Sequence, residues 1–307
     1  MASELSHDSV AGASAGGHGS VAPPSRALLI LSRLPLCVLH ALAPCLAFLA
    51  FRVIRYRLRV VYENLSKAFP DLAPAALHDL VKAFYRNAAD VVAETISAYS
   101  ISKDTLNERV RITNIEVLER FVQANQSIVL LGTHEANWEW VFLACSSRLP
   151  LAIDAVYKPL HNPGINAFMV AVRSRFGAIL MTPGDALREL VKGRNRLRAL
   201  SLIVDQRPVS KDECHWIPFL NQQTPFLVGF EKLARLWGYP VVLAARRRIK
   251  RGYYEVTFEI LGEPPYDSKS FHLTERYAAS LERSIRASPA DWLWTHRRWR
   301  TRKPFYD

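Results

Sequence analysis

The sequence is poor in the residues that staple small folds together. It has four cysteines, Cys37, Cys45, Cys145 and Cys214, and no Cys-x-x-Cys pair. Cys37 and Cys45 share one apolar stretch, where helical geometry would hold them about 12 Å apart, beyond disulfide reach. A disulfide framework and a cysteine-based structural zinc are therefore excluded, and reduced thiols facing the cytosol are expected. With 13 glycines and 18 prolines, the chain is neither collagenous nor a low-complexity polymer. It has no glycine-rich phosphate loop, no dinucleotide fingerprint and no metal-ligand constellation, so no bound cofactor and no metal are expected. Acidic residues are also scarce. The 28 Asp and Glu stand against 40 Lys and Arg, a formal charge of +12, which favours anionic partners: nucleic acid, lipid head groups or an acidic protein. Mean hydropathy sits at zero, too low for a polytopic membrane protein. What is left is one folded domain of roughly 200–250 residues with appendages.

Residues 1–25 are rich in Ala, Ser, Gly, Pro and Val and show no periodicity, which reads as a disordered tail. Arg33 then precedes Leu34–Phe51, 18 residues without a formal charge, and Arg52, Arg55, Arg57 and Arg59 follow. About 20 apolar residues span a bilayer core, and flanking arginines can snorkel to extend a short span. Pro35, His40 and Pro44 weaken the run. A cleaved signal peptide would find a site at Ala41-Leu42-Ala43, but the apolar run continues past it. A buried or interfacial helix is a second alternative. The preferred reading makes residues 26–60 a membrane anchor with a basic juxtamembrane segment, kept cytoplasmic by its arginines, and residues 61–307 the working domain.

Within that domain, Pro74–Ser100 repeats apolar residues at three- and four-residue steps, as an amphipathic helix does. Ser127–Gly132 is a short apolar run ended by glycine, a buried strand. Further strands are expected near 151–157, 198–204, 240–245 and 253–260, and helices near 136–147, 164–176, 226–237 and 274–288. The alternation predicts an α/β fold, with a mixed, mostly parallel central sheet flanked by helices. Sites in open α/β sheets form beyond the carboxyl ends of strands, which here directs attention to 133–139 and 205–207.

The first of these segments contains His134 and Glu139 in a His-x4-Glu spacing. Nine histidines and 28 acids make about one such spacing expected by chance, so its position after a buried strand carries the argument. Five residues along one helix turn a side chain through about 500°. Cooperation thus requires His134 in the turn before the helix and Glu139 inside it. A carboxylate on the imidazole N–H would fix the tautomer and free the other nitrogen to take a proton from a hydroxyl. A capping or buried structural histidine is the alternative.

Several segments together resemble a known family, the lipid A late acyltransferases, which are related to the glycerophosphate acyltransferases. They are Gly-x-His-x2-Asn-Trp-Glu at 132–139, Val-Tyr-Lys-Pro at 156–159 with Asn162-Pro163, and Arg173-Ser174-Arg175. In the same order follow Val204-Asp205-Gln206, the stretch 219–224, Glu231–Arg235 and Trp292–Arg298. The likeness runs from about residue 26 to 303. It implies a glycerophosphate-acyltransferase-like fold at the cytoplasmic face of a cell inner membrane. It also implies that His134, paired with Glu139, deprotonates a hydroxyl of an anionic glycolipid or other lipid acceptor, which attacks an acyl thioester carried by acyl carrier protein or coenzyme A. Arg173 would be a functional arginine and Asp205 a further site carboxylate. Arg175 and Lys158 complete the expected substrate-binding set, Arg175 as a cation for a phosphate or the oxyanion and Lys158 where the family commonly has arginine. Thr133 and Glu135 depart from the family pattern on either side of His134, so the acceptor need not be a lipid A precursor.

Simpler readings exist for each residue. Arg173 and Arg175 could neutralise a helix C-terminus, Asp205 could serve a turn, and Lys158 could be a solvated cation. The basic run 246–251 could be a solvated face or a dock for an acidic carrier protein. Aromatic and basic residues at 292–300 suit packing or a membrane interface, and nucleic acid is not expected as a partner. The rival functions are a thioesterase using the same base on water, transfer to another lipid or amino-lipid, and a non-catalytic basic membrane-surface protein.

Overall fold

The computed structural model describes residues 22–208, 214–267 and 270–300 of the chain; the expected tail lies outside the described residues as far as residue 21. In chain order the elements are α1 (Arg26–Ser32), α2 (Leu36–Phe48) with a π-helical continuation (Leu49–Val53), α3 (Leu58–Ala68), α4 (Pro74–Ser97), α5 (Lys103–Arg109), β1 (Val110–Ile112) and α6 (Glu116–Gln123). There follow β2 (Ile128–Gly132), α7 (Trp138–Arg148), β3 (Ala152–Val156), α8 (Pro163–Ser174), β4 (Ile179–Met181), α9 (Pro183–Lys192) and β5 (Arg198–Ile203). The last are β6 (Cys214–Phe219), β7 (Gln222–Leu227), α10 (Gly229–Trp237), β8 (Val241–Lys250), β9 (Tyr253–Gly262) and α11 (His272–Ala287).

Seven strands form one sheet in the order β1-β9-β8-β2-β5-β3-β4. The pairing of β8 with β9 is antiparallel and the others are parallel, so the mixed, mostly parallel α/β sheet expected from the sequence is the one formed. β2 lies between β8 and β5 and is buried along its whole length, which is why its sequence is apolar without alternation. Its side chains still divide by the two-residue period of a strand. Ile128 and Leu130 join the layer containing Trp140, Ile153 and Phe168, while Val129 and Leu131 join the layer containing Phe230, Tyr277 and Trp294. Helices thus cover both faces.

The apolar N-terminal helix packs through one stripe. Leu39, Ala43 and Ala47 meet Ala89 and Ala93 of α4, small residues that let the two backbones approach. Val38, Leu42, Leu46, Phe48, Leu49 and Val53 remain exposed. Leu36–Val53 has a mean hydropathy of 2.0 and is long and apolar enough to cross a membrane. Its second turn is tied to the domain: His40 Nε2 lies 3.0 Å from Glu94 Oε1, and Arg251 donates to the His40 carbonyl at 2.5 Å.

Two boundaries differ from expectation for local reasons. The helix expected from residue 226 starts at Gly229, because Gln222–Leu227 pairs with Cys214–Phe219 as an antiparallel hairpin. Pro218, Pro225 and the polar Gln222 and Gln223 hide that hairpin from a period-two reading, and Leu220 and Asn221 turn it with positive φ angles of 49° and 62°. The helix expected from Ala136 starts at Trp138, since Ala136 is left-handed with φ 47° and Asn137 caps the first turn.

Candidate active site

β2 ends on Gly132, where a Cβ would come within 2.8 Å of the Arg246 guanidinium and 3.1 Å of Ile203. A larger residue here would have to displace the Arg246 guanidinium and crowd Ile203. The loop that follows is laced to the C-terminal segment. Tyr277 Oη donates to the Gly132 carbonyl at 2.8 Å, Leu293 N–H to the His134 carbonyl at 3.1 Å, and Ala136 N–H to the Asp291 carbonyl at 2.8 Å. Asn137 accepts from Trp140 N–H at 2.9 Å and donates to Glu94 Oε2 at 2.7 Å. Tyr254 Oη donates to that same Glu94 oxygen at 2.5 Å, and the Trp140 indole donates to the Glu94 backbone carbonyl at 2.8 Å. Glu94 is wholly buried, and this fully occupied polar knot sets where α7 begins.

His134 therefore lies in the turn before the helix, as the spacing argument requires, but its carboxylate partner is Asp205, not Glu139. Asp205 Oδ1 accepts from His134 Nδ1 at 2.6 Å, and Oδ2 accepts from His134 N–H at 2.8 Å and from the Trp292 indole at 2.9 Å. Burial alone would raise the Asp205 carboxyl. The charge of the imidazole, these hydrogen bonds and the indole outweigh it and hold the group well below the usual carboxylate range. Asp205 is thus an anion with three donors aimed at it, and Nδ1 must carry hydrogen. Nε2, the other ring nitrogen, receives the Gln206 side-chain amide at 3.3 Å. The His134 side chain keeps 18% of its surface exposed while Asp205 keeps 1%, so a reacting group can reach the ring but not its orienter.

Glu139 turns the other way. It lies in the first turn of α7, past the left-handed bend at Ala136, and its oxygens accept a bidentate pair of bonds from Arg173 at 2.9 and 2.5 Å. It also accepts from the Trp138 indole at 3.0 Å. The Trp138 ring stands edge-on to the His134 ring at 5.3 Å, so Glu139 bears on the imidazole through that indole. For Arg173, the cost of burial is outweighed by Glu139, which raises its pKa and keeps it charged. Arg175, two residues on, donates to the Ala98 and Ile101 carbonyls at 2.5 and 2.9 Å. These donors close the end of α4. Lys158 is exposed just beyond β3.

Within the basic run 246–251, Arg247, Lys250 and Arg251 keep the solvated face expected from the sequence, while Arg246 and Arg248 turn inward. Arg246 is buried, with its guanidinium on the Ala244 carbonyl at 3.2 and 3.3 Å. Arg248 and Arg251 bind Asp90 at 2.5 and 2.8 Å, and Arg247 binds Glu255 at 2.8 Å. Arg246 also lines a partly open space of about 30 Å³ between the sheet and α7, where Trp138, Phe142, Ile153 and Ile203 supply apolar walls. Glu135 is buried near this cation. Burial raises its carboxyl to about 7, against the opposing pull of Ser284, Thr133 and Arg246, and Thr133 Oγ1 donates to it at 2.8 Å.

Sequence reasoning did not assign roles to Trp292 and Gln206. Their signals were present in the segments 292–298 and 204–206, but nothing in the spacing says that an indole 87 residues away donates to Asp205. Among the described residues, no group of three His, Cys, Asp or Glu is placed to hold a metal ion.

An imidazole oriented by a buried carboxylate beyond a central strand, with a carboxylate–guanidinium pair on the adjoining helix turn, is equipped to move a proton from a hydroxyl and stabilise developing charge. The fold and site thus define an α/β enzyme with an oriented histidine base. The family model for bacterial lipid A biosynthesis acyltransferases matches residues 25–301, and the chain belongs to that family; it is an acyltransferase. It is 23% identical over 279 residues to the lipid A biosynthesis lauroyltransferase of Escherichia coli K12, covering 90% of this chain and 89% of that one. It is 22% identical over 269 residues to the lipid A biosynthesis palmitoleoyltransferase of the same organism and to a lipid A biosynthesis acyltransferase of Shigella flexneri, each covering 84% of this chain and 86% of the relative.

Proposed function

We propose that the protein transfers a fatty acyl chain from a thioester, carried by acyl carrier protein or coenzyme A, to a hydroxyl of an anionic glycolipid of the lipid A precursor type. The observation that carries this reading is the His134–Asp205 pair, with Nδ1 committed at 2.6 Å and Nε2 directed away from it. His134 Nε2 takes the acceptor's hydroxyl proton as the oxygen attacks the thioester carbonyl. The tetrahedral oxyanion collapses, the C–S bond breaks, and the leaving thiolate takes the proton back from the imidazolium. Ester and thiol are released and the base is restored, with no acyl-enzyme. The Gln206 amide and the Arg173 guanidinium are the donors we assign to the oxyanion and to acceptor anions. Asp205 acts through His134, Glu139 acts by orienting Arg173, and Lys158 remains a candidate contact for an anionic acceptor.

The exposed apolar face of Leu36–Val53, with Arg52 at its end and Arg55, Arg57 and Arg59 beyond it, supports a location at the inner membrane with the catalytic domain on the cytoplasmic side. The test is a mass-spectrometric comparison of lipid extracts from cells with and without the gene, joined to assays of the purified full chain with acyl carrier and coenzyme A donors. One lipid gaining the mass of a single acyl group, in extract and assay alike, is expected. Release of free fatty acid with no acylated lipid would instead make the protein a thioesterase.

A further inference from the structure

The α2–α4 pair holds a second feature that acyl transfer does not use. Where the apolar helix widens into its π-helical turn, Leu49–Val53, a groove of about 270 Å³ opens against α4. Its floor is aromatic, with the Phe51 and Tyr85 rings 5.5 Å apart, and Pro44 and Phe48 extend the apolar wall. Three cations stand at the groove, Arg52, Lys82 and Arg86, and no carboxylate lines it. Arg52 leans over Phe51 at 5.1 Å. Lys82 meets Asp79 at 3.1 Å, but both side chains are solvated, so that pair is weak and exchangeable. Among the described residues, neither Arg52 nor Arg86 has a carboxylate partner. The groove opens beside the exposed residues Leu46, Phe48, Leu49 and Val53, a surface suited to hydrocarbon.

We propose that this groove binds one anionic membrane phospholipid, separate from the lipids that react at His134. An acyl chain lies along the aromatic floor, and the phosphate sits among Arg52, Lys82 and Arg86. The volume, near the low end of about 300 Å³ for ligand pockets, takes part of one chain and leaves the remainder in the bilayer. The arrangement would hold α2 and α4 against the membrane at a defined depth. A soluble acidic protein segment would satisfy the cations but not the apolar floor and its exposed surround, so a lipid is the better fit.

Native mass spectrometry of the full chain in neutral detergent tests this, with palmitoyl-oleoyl phosphatidylglycerol as probe and the phosphatidylcholine of the same chains as comparison. One phosphatidylglycerol retained per chain, in clear preference to phosphatidylcholine, is expected. The triple variant Arg52→Gln/Lys82→Gln/Arg86→Gln should weaken retention about fivefold per cation, roughly a hundredfold in all, from the worth of one basic group at an anionic surface. A control with the same charge loss elsewhere, Arg188→Gln/Lys192→Gln/Arg194→Gln, should bind as the parent does. Arg52→Lys/Arg86→Lys, which keeps the charge and the fold, should stay within about fivefold of the parent. Equal losses in both triple variants would reduce the effect to net charge and overturn the site, as would equal retention of the two lipids. Displacement of the lipid by polyglutamate would assign the groove to an acidic protein instead.

Discussion

Replacing Asp205 by asparagine changes one atom group in the most constrained part of the site. The carboxylate accepts three bonds, from His134 Nδ1 at 2.6 Å, His134 N–H at 2.8 Å and Trp292 Nε1 at 2.9 Å. All three partners are donors, and an amide has one accepting oxygen and one donating nitrogen. If the amide nitrogen faces Nδ1, the ring must shift its hydrogen to Nε2, the nitrogen needed as a base. If it faces the backbone and the indole, two N–H donors confront a third inside a buried space. The first arrangement removes the oriented base, a contribution of about 10²–10⁴ in rate; the second keeps the tautomer but loses the negative charge that stabilises the imidazolium, and each lost bond to a charged acceptor costs about 1.5–3 kcal/mol of stability. The measurement is single-turnover acyl transfer by the full chain alongside urea unfolding. A fall of at least about a hundredfold in the chemical step, with a folded variant, is expected. An Asp205→Asn enzyme that keeps its turnover would refute the assignment of Asp205 as the orienter.

The Glu139–Arg173 pair predicts a different pattern. Glu139→Gln and Arg173→Met should each impair activity and stability, near the low end of about 3–5 kcal/mol for breaking a buried pair because Arg173 keeps 21% exposure; the double variant should be little worse than either, which a double-mutant cycle reads as coupling. Glu135→Gln should remove a pH slope. The carboxyl sits at about 7 when folded against an ordinary 4.5, so the folded state keeps a proton that the unfolded chain releases, and parent stability falls between those values by up to about 3 kcal/mol; urea titrations across that range should show the variant gaining on the parent as pH rises. Arg175→Ala should lower the melting temperature by removing the bonds to Ala98 and Ile101, while kcat/KM stays within about threefold.

The central strand and the histidine were legible in the sequence because each leaves a local mark. Ile128–Gly132 is uniformly apolar, its glycine closes it, and a histidine two residues beyond that strand falls in the turn ahead of α7. The orienting carboxylate was not legible from spacing. Asp205 follows β5, and β5 pairs with β2 in register, Gly132 opposite Ile203; two strand ends that meet through sheet pairing leave no periodic trace in the chain. Glu139 was five residues away in sequence and the obvious partner, but the bend at Ala136 separates it from the ring. The basic run at 246–251 was legible only in part for the same reason, since Asp90 and Glu255, which pair with Arg248, Arg251 and Arg247, come from a distant helix and the facing strand. The hairpin β6–β7 carries prolines and glutamines that erase the two-residue alternation on which strand reading depends.

His134 Nε2 is the base to which activation of the acceptor hydroxyl is assigned. Its most direct test is the chemical step of acyl transfer by His134→Ala in the full chain, measured with saturating thioester and lipid acceptor and with unfolding curves matching the parent. A loss of about 10²–10⁴ in that step is predicted. A folded His134→Ala protein that acylates the acceptor at the parental rate would contradict it.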